Sequence, residues 1–177
     1  MKLLIVYYSL SGNNRMLAEH LGQRLGADVV AVREKKKKRT GFMTFLDLML
    51  KRKQEILPLE VSPANYDHVL LVAPLWDMSI AYPMATAIQQ WGGDLKKFSF
   101  VSFCGYVRPG QSDHVANELE TLTGKVPQHV WELHVGDLVP PKDRKKVWIV
   151  SRYKVKPAEL ASFKKQIDEI TGYFSGE

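Results

Sequence analysis

Small polar residues are concentrated at one join near the start of the sequence. Between an apolar stretch and an amphipathic stretch, the chain reads Ser9-Leu10-Ser11-Gly12-Asn13-Asn14. If a helix begins here, its first backbone N–H groups are free donors and its dipole favours negative charge, so the join can bind a phosphate group. Ordinary capping of a helix by Ser or Asn explains the same residues equally well. Neither Gly-x-x-x-x-Gly-Lys nor Gly-x-Gly-x-x-Gly occurs in the chain, so the sequence does not support a nucleoside triphosphate or dinucleotide site.

A second segment, residues 73–83, is unusually apolar for a connection between elements. It holds Trp76, Met78 and Tyr82, where a short polar turn would suffice. Side chains of this kind can wall a flat aromatic ligand. They can also pack onto neighbouring loops or onto another subunit, and the segment taken alone favours that simpler explanation.

A third segment, residues 104–112, is rich in glycine. Gly105 leaves its backbone free to meet the edge of a ligand, and Tyr106 can stack on one. A glycine turn without a ligand is the commoner use of such a stretch. Cys104 is the lone cysteine, and we interpret it as a small buried residue rather than a reactive thiol. It cannot form an internal disulfide, which indicates a reducing cytoplasm.

Strands and helices alternate along the chain, and they must position these three segments. The hydrophobic patterns predict strands at residues 3–8, 28–32, 69–73, 98–104 and 129–135, and helices at residues 14–25, 81–91, 113–122 and 159–174. This alternation predicts a doubly wound parallel sheet. Ligands of such sheets bind beyond the carboxyl ends of the strands. All three segments follow apolar strands, so we expect them to converge on one crevice.

Length and composition are those of a globular protein. The 177 residues fit a single domain, 1–177, and 45% of them are hydrophobic. No apolar run reaches eighteen residues, and the first residues do not resemble a signal peptide, so we expect neither a membrane span nor a leader. The net charge of +6 suggests anionic partners. Nucleic acid is not expected among them, because the chain lacks a recognised nucleic-acid-binding motif.

Residues 33–63 depart most from a minimal strand–helix repeat. A basic run at 35–39 precedes an amphipathic pattern, Phe42, Phe45, Leu46, Met49 and Leu50, which predicts a crossover helix over the sheet. The basic run fits a solvated loop, a site for the 2′-phosphate of NADPH or another acidic partner, or a helix lying on an anionic membrane. Residues 136–153 are harder to interpret, and an extended arm and an extra strand at 147–150 both fit them.

Three stretches of the sequence resemble the flavodoxin-like family. They are LLIVYYSLSGNNRMLAEHL (3–21), YDHVLLVAPLWDMSIAYPM (66–84) and FSFVSFCGYVRPG (98–110). They are similar to the family's first strand with its phosphate loop, its third strand with a Pro-x-Trp loop, and its fourth strand with a glycine-containing flavin loop. The resemblance implies a five-stranded parallel sheet in the order 2-1-3-4-5, with helices on both faces. It also implies non-covalent FMN and electron or hydride transfer.

The resemblance also implies which residues would bind FMN. The FMN phosphate would be held by Ser9, Ser11, Gly12, Asn13 and Asn14. The ribityl chain and one side of the ring would be flanked by Pro74, Leu75, Trp76, Asp77 and Met78. The other side would be lined by Gly105, Tyr106 and Val107. No catalytic side chain and no metal ligand are nominated, because the chemistry would belong to the flavin. Arg108 and His114 could stabilise a reduced, anionic flavin or a substrate, but a solvated surface position is the commoner use of such residues, and we assign both to it.

The sequence departs from the family pattern in two respects. Asn14 stands where the phosphate loop commonly ends in threonine, and the chain is basic, whereas electron-carrier flavodoxins are typically acidic. The basic charge favours an FMN-dependent reductase, with NAD(P)H as a candidate donor, over an electron carrier. Such a reductase would act on a redox partner or a small electron acceptor. A homodimer also stays open, because Met43 and Leu48 widen the apolar face of the predicted crossover helix beyond what the sheet needs. The alternative is a non-catalytic protein of the same fold that binds an acidic partner through its basic surface.

Overall fold

The computed structural model describes residues 1–35 and 55–176. The basic run at 36–39 and the predicted crossover helix lie outside these residues. The strands are β1 Leu3–Tyr7, β2 Asp28–Ala31, β3 His68–Val72, β4 Leu75–Trp76, β5 Ser79–Ile80, β6 Phe98–Cys104 and β7 Val130–His134. The helices are α1 Asn13–Leu25, α2 Tyr82–Trp91, α3 Gln111–Thr123, α4 Val147–Val150 and α5 Lys164–Ser175. Short 3₁₀ turns occupy Pro63–Asn65, Gly92–Asp94, Val135–Leu138 and Pro157–Phe163.

Five parallel strands form the central sheet in the order β2-β1-β3-β6-β7. Because β4 and β5 form a separate hairpin, this order is 2-1-3-4-5 among the sheet strands, and the prediction is confirmed. Alternate residues of the central strands face opposite sides: Leu71 belongs to one core, and Leu70 belongs to the other. Both faces are covered, which explains why these strands are apolar throughout.

The helices divide between the two faces of the sheet. Leu17 and Leu21 of α1 pack into one core with residues of α5, while Met84 of α2 and Val115 of α3 pack into the other. The crossover after β1 therefore runs on one face, and the crossover after β3 runs on the opposite face. A crevice opens where adjacent strands send their connections in opposite directions, which is where ligands of open α/β sheets bind.

Two parts of the chain differ from the sequence-based expectations. Residues 147–150 form neither an extended arm nor an extra strand, so that expectation is wrong. The backbone there satisfies its own N–H groups helically, with Ser151 N–H donating to the Val147 carbonyl at 2.9 Å. The predicted helix at 159–174 starts as the 3₁₀ turn Pro157–Phe163 and becomes α-helical only at Lys164. In the two described stretches, no helix combines the length and the apolar character needed to cross a bilayer.

The first residue of β3 is a buried histidine. His68 is 2% exposed, its Nε2 lies 3.0 Å from the Ser99 hydroxyl, and its ring meets Phe174 edge-on at 5.0 Å. Burial lowers its pKa from 6.5 to about 4, and the charges of Lys97 and His129 act in the same direction. The folded protein therefore holds this imidazole neutral at pH values where an unfolded chain would protonate it.

We predict that this histidine makes the protein less stable in mild acid. Because the folded pKa lies below the unfolded value, stability is fully present above pH 6.5 and is lost as the pH falls towards 4. The free energy of unfolding in urea should drop by about 2 kcal/mol between pH 7 and pH 5 from this group alone. In the H68Q variant, the free energy of unfolding should fall by about 2 kcal/mol less between pH 7 and pH 5 than in the wild type. The control H114Q, at an exposed position on α3, should show the same fall as the wild type. An equal pH dependence in wild type and H68Q would contradict the prediction.

Candidate functional site

A cavity of about 380 Å³ opens at the carboxyl ends of β1, β3 and β6. This volume lies within the range of small-molecule sites. The three segments singled out in the sequence do converge there, and most of the predicted residues line the cavity: Ser11, Asn13, Asn14, Pro74, Leu75, Trp76, Asp77, Met78, Gly105 and Tyr106. Ser9 and Gly12 belong to the same loop but are not in the lining. Val107 faces a neighbouring depression.

The loop after β1 is organised by its own serines. The Ser9 hydroxyl accepts a hydrogen bond from the Gly12 N–H at 3.1 Å, and the Ser11 hydroxyl accepts one from the Asn13 N–H at 3.5 Å. Gly12 has φ +98°, in the left-handed region where a side chain is strained, and α1 begins at the next residue. The loop therefore presents backbone N–H groups and two hydroxyls at the amino end of a thirteen-residue helix.

Asn14 binds the backbone of β6. Its Oδ1 accepts the Phe103 N–H at 2.9 Å, and its Nδ2 donates to the Phe103 carbonyl at 3.4 Å. The Asn14 side chain is buried. Because β3 ends at Val72, no strand lies beside Phe103 on that side of β6, and the Asn14 amide forms the hydrogen bonds that a neighbouring strand would form there. The sequence alone suggested a phosphate donor here, and the structure gives this amide a partner within the protein.

Asn13 binds a segment that lies far from it in the sequence. Its Nδ2 donates to the Tyr153 carbonyl at 2.8 Å, and its Oδ1 accepts the Val155 N–H at 3.0 Å. This pair of bonds holds residues 153–155 against the start of α1. A phosphate at this loop would therefore meet chiefly backbone N–H groups and serine hydroxyls, with both asparagines keeping the surrounding chain in position.

The loop after β3 forms the hairpin β4–β5. Asp77 and Met78 occupy its tip with φ +50° and +71°, the combination that a tight two-residue hairpin turn requires. Because neither residue is glycine, this turn is strained. Trp76 is held edge-on between Tyr8 and Tyr82, at centroid distances of 6.0 and 5.6 Å. The hairpin thus presents a fixed aromatic wall to the cavity.

The loop after β6 packs closely against Gly136. The Gly136 N–H donates to the Gly105 carbonyl at 2.9 Å, and a Cβ at residue 136 would lie only 2.7 Å from that oxygen. A side chain at residue 136 would push the loop away. The next residue, Tyr106, has its hydroxyl buried, and this hydroxyl has no hydrogen-bond partner among residues 1–35 and 55–176. Buried polar groups in proteins are normally hydrogen-bonded, so we expect the Tyr106 hydroxyl to bond to a group outside these residues.

An ion pair connects the second and third loops. Arg108 Nη1 lies 2.9 Å from Asp77 Oδ1 at the cavity wall. The Asp77 side chain is 96% exposed, so the pair adds little stability. The sequence assigned Arg108 to a solvated position, and the structure places it half-exposed in the lining. His114 stands outside the lining, exposed on α3.

Several lining residues were not found from the sequence. The largest group comes from the segment around α4: Val147, Val150 and Ser151. Gln111, Phe103 and Val135 complete the wall near β6 and β7. Nothing in the local pattern of residues 147–151 signals a ligand site, because contacts with residues distant in the sequence, such as the bonds of Asn13 to residues 153–155, hold the segment beside the cavity.

Cys104, Glu132 and His134 form a cluster behind the third loop. Their donor atoms lie within 4.8 Å of one another. Glu132 accepts a hydrogen bond from the Ser112 hydroxyl at 3.0 Å and lies 3.1 Å from His134 Nε2. Burial raises the pKa of the Cys104 thiol to about 12, and the nearby Glu132 charge adds to the shift. The thiol therefore stays protonated, which agrees with its interpretation as a buried, unreactive residue.

The strand order and the crevice identify the fold. The chain has the flavodoxin-like fold. No protein-family model matches the sequence, and a search of curated proteins also found no match.

Solved structures have the same architecture at low sequence identity. A flavoprotein from Lactobacillus acidophilus NCFM, crystallised in complex with FMN, is 21% identical with a TM-score of 0.58, over 74% of this chain and 92% of that one. A candidate flavoprotein from Bacteroides eggerthii is 18% identical with a TM-score of 0.62, over 84% and 95% of the two chains. A counterpart from Bacteroides uniformis is 17% identical with a TM-score of 0.62, over 84% and 97%. At these identities the likeness concerns the fold of this chain.

We predict that Asn14 is required for stability. The N14A substitution leaves the Phe103 N–H and carbonyl without their side-chain partner in a buried position. Because an unpaired buried donor costs about 1–3 kcal/mol, the free energy of unfolding in urea should fall by about 2 kcal/mol. The control is N117A, at an exposed asparagine of α3, which should change stability by less than about 0.5 kcal/mol. Equal stabilities of the two variants would show that the Asn14 amide is dispensable.

Proposed function

We propose that this flavodoxin-like chain binds FMN non-covalently in the cavity at the ends of β1, β3 and β6 and acts as an FMN-dependent oxidoreductase. The observation that carries the proposal is the convergence of three loops with different chemistry on one cavity at the topological switch point. One loop offers donors at a helix start, and the other two offer aromatic and backbone walls. FMN has two matching parts, an anionic phosphate group and a flat aromatic ring.

The phosphate would be held by the loop Ser9 to Asn13. Here the helix dipole of α1, the Gly12 and Asn13 N–H groups and the two serine hydroxyls favour an anion. The serine hydroxyls now accept from those N–H groups, so a bound phosphate would replace them as the acceptor. No acidic side chain stands in the first turn of α1 to compete with an anion.

The ring would lie between the hairpin and the loop after β6. Trp76 and Met78 from the hairpin and Tyr106 from the loop after β6 provide apolar surface, and Gly105 belongs to the same lining. The buried Tyr106 hydroxyl supports this fit, because a ligand with polar ring edges could supply the partner that the described chain does not. The same hydroxyl would help to orient the ring.

Bound FMN would supply one- or two-electron transfer, which none of the side chains in the lining can supply. The protein would bind the ring, exclude water from one side of it and place a cation nearby. Arg108 is the lining cation, and it would favour negative charge on a ligand in the cavity. The net charge of +6 supports a reductase over an electron carrier, with NADH or NADPH as the donor to be tested.

We predict that the protein binds FMN much more tightly than riboflavin, which lacks the phosphate. Two charge-assisted hydrogen bonds to phosphate correspond to an affinity ratio of about 100 or more. The measurement is a titration of flavin fluorescence with purified protein, checked by the visible spectrum after excess flavin is removed. Equal affinities for the two flavins would contradict the phosphate site, and a protein that binds neither would overturn the whole proposal.

The loop can be tested with a pair of glycine variants. Gly12 and Gly124 both have a left-handed φ, +98° and +72°, and a Cβ at either position would meet nothing within 4 Å. G12A and G124A should therefore lose similar stability, about 1 kcal/mol each. Only G12A should weaken FMN binding, by about tenfold, because only Gly12 precedes the phosphate loop's helix. If G124A weakens binding as much as G12A, the effect is one of general stability.

The oxidoreductase activity needs a separate measurement. FMN-loaded protein is mixed with NADH or NADPH without oxygen, and the flavin absorbance is followed. Bleaching within seconds to minutes is the expected result. If neither nucleotide bleaches a fully loaded protein, the NAD(P)H-linked reductase is excluded while FMN binding stands.

A further inference from the structure

We propose that residues 142–156, together with the cavity mouth beside them, form a docking surface for an acidic electron-transfer protein. This inference rests on the proposed function, since electron transfer to such a partner requires a redox group in the cavity. The segment contains the short helix α4 and the lining residues Val147, Val150 and Ser151. A partner seated on it would therefore also cover the cavity.

This segment carries a strong local excess of positive charge. It contains seven Lys and Arg residues against the single Asp143, a net charge of +6. Residues 33–53 contain a second basic stretch, and the rest of the chain is net acidic. A surface with this local excess attracts a negatively charged partner and speeds their association.

Four of these seven cations have no side-chain partner within residues 1–35 and 55–176. Lys142, Lys145, Arg152 and Lys154 are exposed and form no side-chain hydrogen bond or ion pair with the described part of the chain. Other members of the segment have structural partners. Lys146 pairs with Asp143 at 2.7 Å, and Arg144 donates to two backbone carbonyls of residues 137–139. The four unpaired cations are available to an acidic surface.

Apolar side chains stand exposed among these charges. Val147 and Trp148 of α4 are each 62% exposed, and Leu10 of the phosphate loop is 73% exposed. Leu10 and Val147 line the same cavity, so they border its mouth from opposite loops. An exposed tryptophan in particular is the type of residue that contributes most binding energy in protein interfaces.

A second depression extends this surface on the outer side of the third loop. It has a volume of about 250 Å³ and is lined by Tyr106, Val107, Arg144 and Lys145 among others. Val107 is 71% exposed. An apolar centre with a charged rim is the arrangement found in protein–protein interfaces.

The segment is held in place, so a partner would find the surface already formed. Asn13 bonds to the backbone at Tyr153 and Val155, and a Cβ on Gly105 would lie 3.4 Å from the Val150 side chain. Preformed surfaces lose less conformational entropy on binding. The position at the cavity mouth favours a protein over a membrane as the occupant, because electron exchange requires contact with the contents of the cavity.

The test uses FMN-loaded protein and a reduced, acidic plant-type [2Fe–2S] ferredoxin as the probe. In each encounter one electron leaves the probe's cluster, which is oxidised, and enters the bound FMN, which is reduced. Two encounters with uptake of protons from water complete the two-electron reduction. The second-order rate constant is measured by stopped flow from the flavin absorbance, at NaCl concentrations from about 20 to 300 mM.

The key variant is K145Q/R152Q, and its matched control is K96Q/K97Q. Both remove two exposed positive charges. Lys96 and Lys97, however, precede β6 and so lie at the amino ends of the strands, at the opposite end of the sheet from the cavity. At low salt, K145Q/R152Q should lower the rate constant at least about fivefold and the control less than twofold. The difference should disappear at high salt. W148A should lower the rate about threefold or more at every salt concentration.

Equal rates in K145Q/R152Q and its control would overturn the docking surface while leaving the proposed function intact. Loss of binding to phosphatidylserine vesicles in K145Q/R152Q, with unchanged ferredoxin kinetics, would assign the surface to a membrane instead and also overturn the proposal.

If the protein does not load with FMN, the proposed function fails, and the same variants are compared for equilibrium binding to the ferredoxin on a sensor surface. Weaker binding of K145Q/R152Q than of the control would then support the docking surface independently of the flavin.

Discussion

Two asparagine amides at the start of α1 hold together the parts of the chain that form the cavity. Asn14 bonds to β6 at Phe103, and Asn13 bonds to the backbone of residues 153–155. Each amide uses both its oxygen and its nitrogen, so each fixes the direction as well as the distance of its partner. The loop after β1, the loop after β6 and the segment around α4 consequently keep one relative arrangement.

This arrangement leaves mainly backbone groups available to a ligand at the loop after β1. With the asparagines bonded to neighbouring chain, the groups that remain for a phosphate are the N–H groups around Gly12 and the hydroxyls of Ser9 and Ser11. Backbone donors at a helix start favour an anion without requiring a side-chain cation. A basic residue is therefore not needed in this loop for an anion to bind.

Aromatic side chains and exposed cations occupy different parts of the cavity and its surroundings. The cavity walls, with Trp76 and Tyr106, suit a flat ligand, whereas the neighbouring segment 142–156 carries the exposed Trp148 and cations that have no partner among the described residues. The strained turn at Asp77 and Met78 and the Asp77–Arg108 pair belong to the cavity lining. A ligand in the cavity and a partner on the rim would each meet residues suited to it.

The order of elements and the location of the cavity follow from the sequence by itself. The strands 3–8, 69–73 and 98–104 were predictable because an apolar run is a property of adjacent residues. The parallel sheet follows from the alternation of strands with helices, and its strand order was implied by the resemblance to the flavodoxin-like family. Only the tertiary structure decided how Asn13 and Asn14 are used, that residues 75–80 form a hairpin, and that residues 147–150 form a helical turn beside the cavity. These features depend on partners 89 or more residues away, as for Asn14 and Phe103, or on strain accepted in a turn without glycine. Local patterns carry no record of such contacts, because the side chain of an asparagine is equally suited to a phosphate, a helix cap or a distant backbone.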